Sequence, residues 1–136
     1  MIWLIFSEET YNLDKVIKHL TNPIIVTNNE QIIVGVNDYW IQMCKYNLDD
    51  LYKLIPRLTP KILHGEFTNT KITSAFRDTL VNENCAFGDF INYTKFGDMF
   101  VNHVFAWRCG DLYVCETYDT TKYSTTWSLR NQPLET

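Results

Sequence analysis

The sequence lacks the features that mark several large classes of protein. It has no CxxC pair, no run of basic residues, no low-complexity segment and no internal repeat. Its apolar start, residues 1–6, has no basic segment and is followed at once by Ser7, Glu8 and Glu9, which excludes a signal peptide and a spanning helix there. The formal net charge of -4 argues against partners such as nucleic acid or an anionic membrane. We therefore expect a cytoplasmic protein.

The four cysteines stand in apolar stretches without the spacing of metal ligands. Cys44, Cys85, Cys109 and Cys115 fit reduced, mostly buried thiols better than a disulfide framework or a zinc site. The sequence also has no nucleophile elbow, phosphate loop, HExxH or paired-acid motif. No motif therefore assigns a catalytic role to its carboxylates and histidines, and we do not expect an enzyme. With 136 residues, 46% of them hydrophobic, the chain is one globular domain that can build its own core.

The hydrophobic pattern predicts an N-terminal helix followed by two strands. Asn12 is a candidate N-cap, because apolar residues recur after it at helical spacing until the chain breaks at Asn22-Pro23. Residues 24–27 and 31–36 then form two β-rich runs, which are predicted to be strands. An asparagine in the turn between them is expected to supply a positive φ, which makes the pair a hairpin.

A block of helices and three strands complete the pattern. Helix starts are predicted at Asn37 or Asp38, at Asn47, and at Thr59-Pro60, the last of these helices stopping at Gly65. A longer amphipathic helix is predicted over 69–81, and strands over 85–94, 99–108 and 112–118. The class is α+β, with a five-stranded antiparallel sheet, helices on one face and the N-terminal helix flanking it.

Strand pairing places two asparagines on one face of the last three strands. A three-residue loop between the first two of them sets Asn92 opposite Phe100, and a two-residue turn at 109–110 sets Asn102 opposite Thr117. The resulting face consists of Phe90, Asn92, Phe100, Asn102, Val104, Ala106, Tyr113, Cys115 and Thr117.

Two interpretations of this face remain open. Carboxamides both donate and accept hydrogen bonds, so a mainly apolar face that carries them suits a planar ligand with a polar edge. Alternatively, Asn92 and Asn102 bond backbone groups or each other in a filled core, as buried amides usually do.

The opposite face is too apolar to leave bare on a monomer. Either the N-terminal segment 1–20 or a second copy of the sheet covers it, and we expect both, which makes this face a contact for a homodimer or a partner protein. Its residues are Ile91, Tyr93, Met99, Val101, His103, Phe105 and Trp107.

The strand order, the helix block and several short motifs together resemble the PAS family, and within it the LOV (light-oxygen-voltage) branch that binds flavin. The motifs are Asn22-Pro23-Ile24-Ile25-Val26-Thr27, Val36-Asn37-Asp38, Lys61-Ile62-Leu63-His64-Gly65 with Thr68, Ile91-Asn92-Tyr93-Thr94-Lys95-Phe96-Gly97 with Phe100 and Asn102, and Tyr118-Asp119-Thr120-Thr121. The resemblance implies a PAS/LOV-like domain over 22–121, flanked by a helical segment over 1–21 and a tail over 122–136.

The resemblance also implies that adduct photochemistry is absent. Photoactive members carry an Asn-Cys-Arg motif ahead of the position of Gly65, and its cysteine forms the adduct with flavin. The aligned stretch here is Thr59-Pro60-Lys61, so Pro60 stands at the cysteine position.

The family's other flavin contacts are only partly kept. Asn92 and Asn102 match the two asparagines that grip the polar edge of the flavin, whereas Thr117 and His64 stand where the family has glutamines. Lys61 either replaces the arginine that holds a flavin phosphate or is a solvated lysine near a helix start. The candidate cofactor-binding residues are Asn92, Asn102, Thr117, Lys61, His64, Phe100 and Cys115.

FMN or FAD is the candidate cofactor, and haem is disfavoured because the longer helix has no histidine where haem-binding PAS relatives supply one. The resemblance implies a sensory or signalling module that acts through ligand-modulated protein–protein association. The alternative is a cysteine-less flavoprotein that signals by photoreduction. Tyr39, Trp40 and Tyr113 are then candidate electron donors, although large rings usually pack in cores.

Overall fold

The computed structural model describes residues 1–123. One antiparallel sheet runs through them in the order β1-β3-β2-β6-β5-β4, which confirms the α+β class. Of the C-terminal tail predicted over 122–136, all but its first two residues lie outside the described part of the chain. The strands are β1 (Ile2–Trp3), β2 (Ile24–Asn28), β3 (Ile33–Val36), β4 (Cys85–Tyr93), β5 (Met99–Cys109) and β6 (Leu112–Asp119).

The sheet has one strand more than the five predicted. The short strand β1 pairs with β3, Ile2 opposite Val36 and Trp3 opposite Gly35. The indole of Trp3 lies against Gly35 so closely that a Cβ on the glycine would overlap it. The first residues of the chain therefore belong to the sheet, and two residues are too few for a periodic pattern to reveal a strand.

Four α-helices and a 3₁₀ helix connect the strands: α1 (Glu8–Ile17), α2 (Asp38–Cys44), α3 (Leu48–Leu54), the 3₁₀ helix Pro60–Leu63 and α4 (Thr70–Glu83). The predicted caps Asn37, Asn47 and Thr59 are confirmed, and Asn69 caps α4. The cap predicted for the first helix was wrong. Ser7, not Asn12, caps α1, because its hydroxyl accepts from the Thr10 N–H in a capping box.

Two turns differ from their predicted form. In the β2–β3 hairpin the positive φ falls on Gln31 rather than on an asparagine, while Asn28 Oδ1 accepts from the backbone N–H groups of Glu30 and Ile32. In the β5–β6 hairpin the two loop residues are Gly110 and Asp111, because Gly110 takes φ +62° at the first loop position.

The shifted turn changes the pairing of β5 with β6 but not the faces of the sheet. Val104 lies opposite Thr117 and Asn102 opposite Asp119, two residues from the predicted register. An even shift keeps every side chain on its face. The β4–β5 register is as predicted, with Asn92 opposite Phe100 and Asn102 opposite Phe90. All nine residues predicted for the amide-bearing face, called the inner face below, are buried.

The two faces of the sheet pack in separate cores. The helices between β3 and β4 cover the inner face, where Ile25 joins a cluster with Trp40, Leu51 and Leu58. On the outer face, α1 packs Leu13 and Ile17 against residues of β2, β3 and β6. Strand β2 is therefore buried on both sides, which explains its unbroken run of apolar residues.

The N-terminal segment covers only part of the outer face. It reaches Trp107 but leaves the β4–β5 side largely open, where Phe87 is 75% exposed. Tyr93 does not belong to this open area, because its ring lies against Gly65 and its hydroxyl accepts from the Phe67 N–H over 2.9 Å. The uncovered area, called the outer patch below, consists of Phe87, Asp89, Met99, Val101, His103, Phe105 and Tyr118.

Candidate functional site

A cavity of about 200 Å³ lies between the inner face and the helices that cover it. Strands β2, β4, β5 and β6 form its floor, and the 3₁₀ helix and α4 form much of its wall. Its side chains are Ile25, Thr27, Asn29, Gln31, Trp40, Pro60, Lys61, Leu63, His64, Thr73, Ser74, Phe76, Arg77, Leu80, Val81, Phe90, Asn92, Asn102, Val104, Tyr113, Cys115 and Thr117. Apolar groups dominate this lining, as in pockets that take small organic molecules.

The two asparagines of the inner face meet in this cavity. Asn102 Nδ2 donates to Asn92 Oδ1 over 3.0 Å, and Asn92 Nδ2 donates to the carbonyl of Ile91 over 3.2 Å. Asn102 is 2% exposed, yet its Oδ1 has no hydrogen-bond partner among residues 1–123. A buried amide oxygen without a donor is costly, so it marks a place where a ligand N–H is favoured.

Thr117 lies on the predicted face of the sheet, but its side chain is already engaged. Its hydroxyl and its backbone N–H both bond the carbonyl of Pro23, the hydroxyl over 3.0 Å as donor. The side chain therefore fixes the start of β2 against β6. It contributes an oxygen to the cavity floor, but its proton is committed to the backbone.

Cys115 brings a neutral thiol to the floor. Burial raises the pKa of Cys115 to about 12, because the thiolate would lose its hydration inside the apolar core. The thiol is therefore protonated at neutral pH. A protonated, buried thiol is a weak nucleophile and behaves here as a small apolar side chain.

Basic side chains stand where the cavity meets solvent. Lys61 on the 3₁₀ helix and Arg77 on α4 both line the cavity and are exposed, and Arg77 is paired with Asp78 at 3.6 Å. His64 follows the 3₁₀ helix, and desolvation, helped by the charge of Lys61, lowers its pKa. The ring of His64 is thereby favoured in its neutral form, which both donates and accepts hydrogen bonds.

Helix α4 forms its side of the cavity with little packing of its own. Leu80 is its one buried side chain, and Phe76 meets Phe90 edge to face with ring centroids 5.0 Å apart. Its apolar residues Ile72 and Val81 remain about half exposed. A helix anchored at so few points is easier to displace than α2, whose Trp40 and Cys44 are both fully buried.

The structure gathers six of the seven candidate cofactor-binding residues around one cavity. Asn92, Asn102, Thr117, Cys115, Lys61 and His64 all line it. Phe100 is buried in the same core but stands outside the cavity wall.

Sequence reasoning missed Arg77 as a cavity residue and considered Trp40 only as a candidate electron donor. Arg77 follows Phe76 on α4, so its closeness to the apolar stripe was the available signal. Trp40 gave no such signal, because apolar spacing cannot distinguish a cavity wall from a filled core. Within the described residues, no group of three or more histidine, cysteine or acidic side chains is placed to hold a metal.

Comparison with solved structures defines the fold. A light-oxygen-voltage domain studied with a flavin analogue superposes with a TM-score of 0.71 at 19% identity, covering 96% of this chain and 100% of that chain. The LOV domain of a blue-light activated histidine kinase from Erythrobacter litoralis gives 0.66 at 19% identity, over 75% and 98%. The PAS domain of the fruit-fly ELK potassium channel gives 0.68 at 18% identity, over 80% and 97%.

The chain therefore has the PAS fold, in the form that LOV domains share. No protein-family model matches its sequence, and no curated protein does. No helix within residues 1–123 has the length and apolar character needed to cross a membrane.

Proposed function

We propose that this protein is a sensory module that binds a planar, neutral heterocycle in the inner-face cavity and signals by changing how it associates with protein. The observation that carries the proposal is the Oδ1 atom of Asn102, which is buried, unpartnered among residues 1–123, and set in a mainly apolar cavity of about 200 Å³. A ring N–H placed against this oxygen satisfies it while the rest of the ring replaces water on apolar surface.

Flavin is the leading candidate for this heterocycle, as the LOV resemblance implies. The amides of Asn92 and Asn102 fit the polar edge of its ring system, and Asn102 still has an oxygen to offer. The exposed cations Lys61 and Arg77 are suited to a phosphate outside the cavity. FMN or FAD therefore fits, and both share the ring that the cavity floor would hold.

The side chains around the cavity favour flavin chemistry without a covalent thiol bond. Bound flavin would supply absorption of blue light and one-electron redox chemistry. Pro60 lines the cavity at the position of the family's reactive cysteine, and Cys115 is held protonated. The alternative function, signalling by photoreduction, would use an aromatic side chain of the wall such as Tyr113 as electron donor.

We propose that the outer patch is the surface whose binding to another protein carries the signal. Phe87 faces Phe105 across β4 and β5, and both are exposed. Beside them His103 Nδ1 and Asp89 Oδ1 lie 2.7 Å apart. Strands β4 and β5 carry the cavity asparagines on their other face, so a shift of these strands on ligand binding would alter both surfaces. A second copy of the chain or a partner protein then binds here.

The visible absorption spectrum of the purified protein tests the proposal. We expect a flavin spectrum, either as purified or after incubation with FMN and removal of the excess. Blue illumination should change this spectrum without producing the spectrum of the covalent adduct. A protein that stays colourless after incubation with FMN and with FAD would contradict flavin binding. Another heterocycle recovered by mass spectrometry would keep the sensory module and replace its ligand.

A further inference from the structure

Trp40 has a buried polar atom that nothing in the fold uses. Its side chain is 0% exposed and is the largest of the fully buried ones among residues 1–123. Its indole Nε1 has no hydrogen-bond acceptor among residues 1–123. Buried tryptophans usually find a partner for this N–H, and phenylalanine fills apolar space without the cost of an unsatisfied donor. Packing alone therefore does not account for a tryptophan at this position.

The fold holds this indole in a fixed place. The side-chain oxygen of Asn37 accepts from the Trp40 backbone N–H over 3.0 Å, and the same oxygen accepts from the Ile24 N–H at the start of β2. On the other side, Tyr46 stacks on the indole with ring centroids 6.4 Å apart and planes 20° from parallel. Helix α2 and strand β2 are thus tied at the backbone of Trp40, and the complete burial of its side chain leaves the indole ring little room to turn.

The indole belongs to the wall of the same cavity as Asn102. One of these two residues has a buried donor without an acceptor, and the other has a buried acceptor without a donor. One guest molecule satisfies both if it carries an acceptor atom on the side of α2 and an N–H on the side of β5. Two unmatched groups of opposite kind in one cavity are more specific than either alone.

We infer that Trp40 is a ligand-binding residue whose indole N–H donates to a ring nitrogen or ring carbonyl of the molecule in the cavity. The inference rests on the proposed function in that it assumes a ligand in this cavity, and it narrows the ligand to heterocycles that combine a ring acceptor with a ring N–H. A hydrocarbon of the same shape fills the cavity but leaves the indole unsatisfied.

A double-mutant cycle with two small probes tests the inference. Naphthalene and quinoline have the same shape, and quinoline replaces one C–H by an acceptor nitrogen. An apolar cavity of about 150 Å³ takes benzene, so a two-ring probe suits this one. Binding of each probe is measured by calorimetry for the wild-type protein and for Trp40→Phe, which keeps an aromatic ring and removes the donor. Trp107→Phe is the matched control, because Trp107 Nε1 already donates to Glu116 Oε2 and Trp107 lies outside the cavity wall.

For each protein we compare the Kd for naphthalene with the Kd for quinoline. The ratio of the two should be about three- to tenfold larger for the wild-type protein and Trp107→Phe than for Trp40→Phe, as expected for one neutral hydrogen bond. Equal preferences in the wild type and Trp40→Phe would overturn the inference, as would failure of both probes to bind the wild type.

A second measurement applies even if Trp40→Phe does not fold. In the wild-type protein labelled with ¹⁵N at tryptophan, quinoline should shift one indole N–H signal downfield where naphthalene does not, and an unmoved signal would overturn the inference. Flavin binding by the same two proteins distinguishes a failure of this inference from a failure of the proposed function. If flavin fails to bind but the quinoline preference holds, the choice of flavin is wrong and the role of Trp40 stands. If flavin binds wild type and Trp40→Phe equally, the role of Trp40 is wrong.

Discussion

Asn102 donates its side-chain N–H to Asn92 Oδ1 over 3.0 Å and keeps its own Oδ1 without a partner among residues 1–123. The two residues lie on neighbouring strands, each buried, on the floor of the same cavity. The bond orients the Asn102 amide, because the nitrogen faces Asn92 and the oxygen is left for another donor. In the proposed function, this relationship makes the cavity a place for a ligand N–H.

Asn102→Leu should abolish most of the affinity for the ligand. Leucine has nearly the shape of asparagine but offers no oxygen, so a ligand N–H that entered the cavity would be buried without an acceptor. We expect the Kd for riboflavin to rise about tenfold or more, measured by quenching of flavin fluorescence. Asn12→Leu on the exposed side of α1 is the control and should leave the Kd unchanged.

The free energy of unfolding of the ligand-free protein should respond differently. Asn102→Leu removes one unsatisfied oxygen but leaves that of Asn92 without a donor. The double variant Asn92→Leu/Asn102→Leu removes both, so urea denaturation should find it more stable than either single variant, by about 1 kcal/mol. A double variant less stable than both single variants would show that the amide pair is a structural element and not a ligand site.

Much of this site was predictable from the sequence, because the period of a strand fixes the faces of the sheet. The β5–β6 turn was misplaced by one residue, yet Asn102, Cys115 and Thr117 still shared a face, since the pairing moved by two. The cavity itself was not predictable. Whether Trp40 lines a cavity or packs directly against the sheet depends on the distance between α2 and the sheet, which no local pattern encodes.

Gly65→Ala should destabilise the fold through its contact with Tyr93. A Cβ on Gly65 would overlap the tyrosine ring, whose hydroxyl is tied to the Phe67 N–H and cannot easily move away. We expect a loss of about 1–3 kcal/mol in the free energy of unfolding. In a Tyr93→Ala background the same substitution should cost little. An equal loss of unfolding free energy in both backgrounds would mean that the Tyr93 ring is not the reason for a glycine at position 65.

The buried thiols should be chemically inert. Burial raises the pKa of Cys115 to about 12 and also raises that of Cys44, with a smaller contribution from Asp119. At pH 8, iodoacetamide should therefore modify the exposed Cys85 well before either of them. Peptide mass spectrometry of the labelled protein checks the order, and early labelling of Cys115 would contradict its burial.

The same shift makes stability depend on pH in the alkaline range. Because the folded state holds the Cys115 proton more tightly than the unfolded state, whose thiol has the ordinary pKa of 9.0, this contribution is complete below pH 9. It is lost as the pH rises from 9 towards 12. The free energy of unfolding in urea should fall over this range, and less steeply for Cys115→Ala. Equal slopes for both proteins would contradict the assignment.

Pro60→Cys should introduce adduct chemistry if the cavity holds flavin. Pro60 lines the cavity and stands at the position of the family's reactive cysteine, so a thiol there would be next to the ring. Blue light should then bleach the flavin band of Pro60→Cys, with recovery in the dark, whereas Pro60→Ala should show no such cycle. An identical response of the two variants would mean that the ring lies elsewhere in the cavity.

Phe105→Glu should weaken self-association through the outer patch. The side chain is 40% exposed opposite Phe87, and a charge there opposes burial against another apolar surface. Sedimentation velocity should find the wild type partly dimeric at high micromolar concentration and Phe105→Glu monomeric. Tyr11→Glu, an exposed ring on α1 outside the patch, is the control. A wild type that stays monomeric throughout would leave a partner protein as the only occupant of the patch.

Native mass spectrometry of the freshly purified protein shows whether Asn102 holds a ligand in the cavity. We expect one small molecule bound per chain, either as purified or after incubation with FMN. Its released mass should correspond to a planar heterocycle, and Asn102→Leu should lose it. A wild-type protein that shows only its bare mass under both conditions, or a molecule that Asn102→Leu retains equally well, would contradict a ligand held by Asn102.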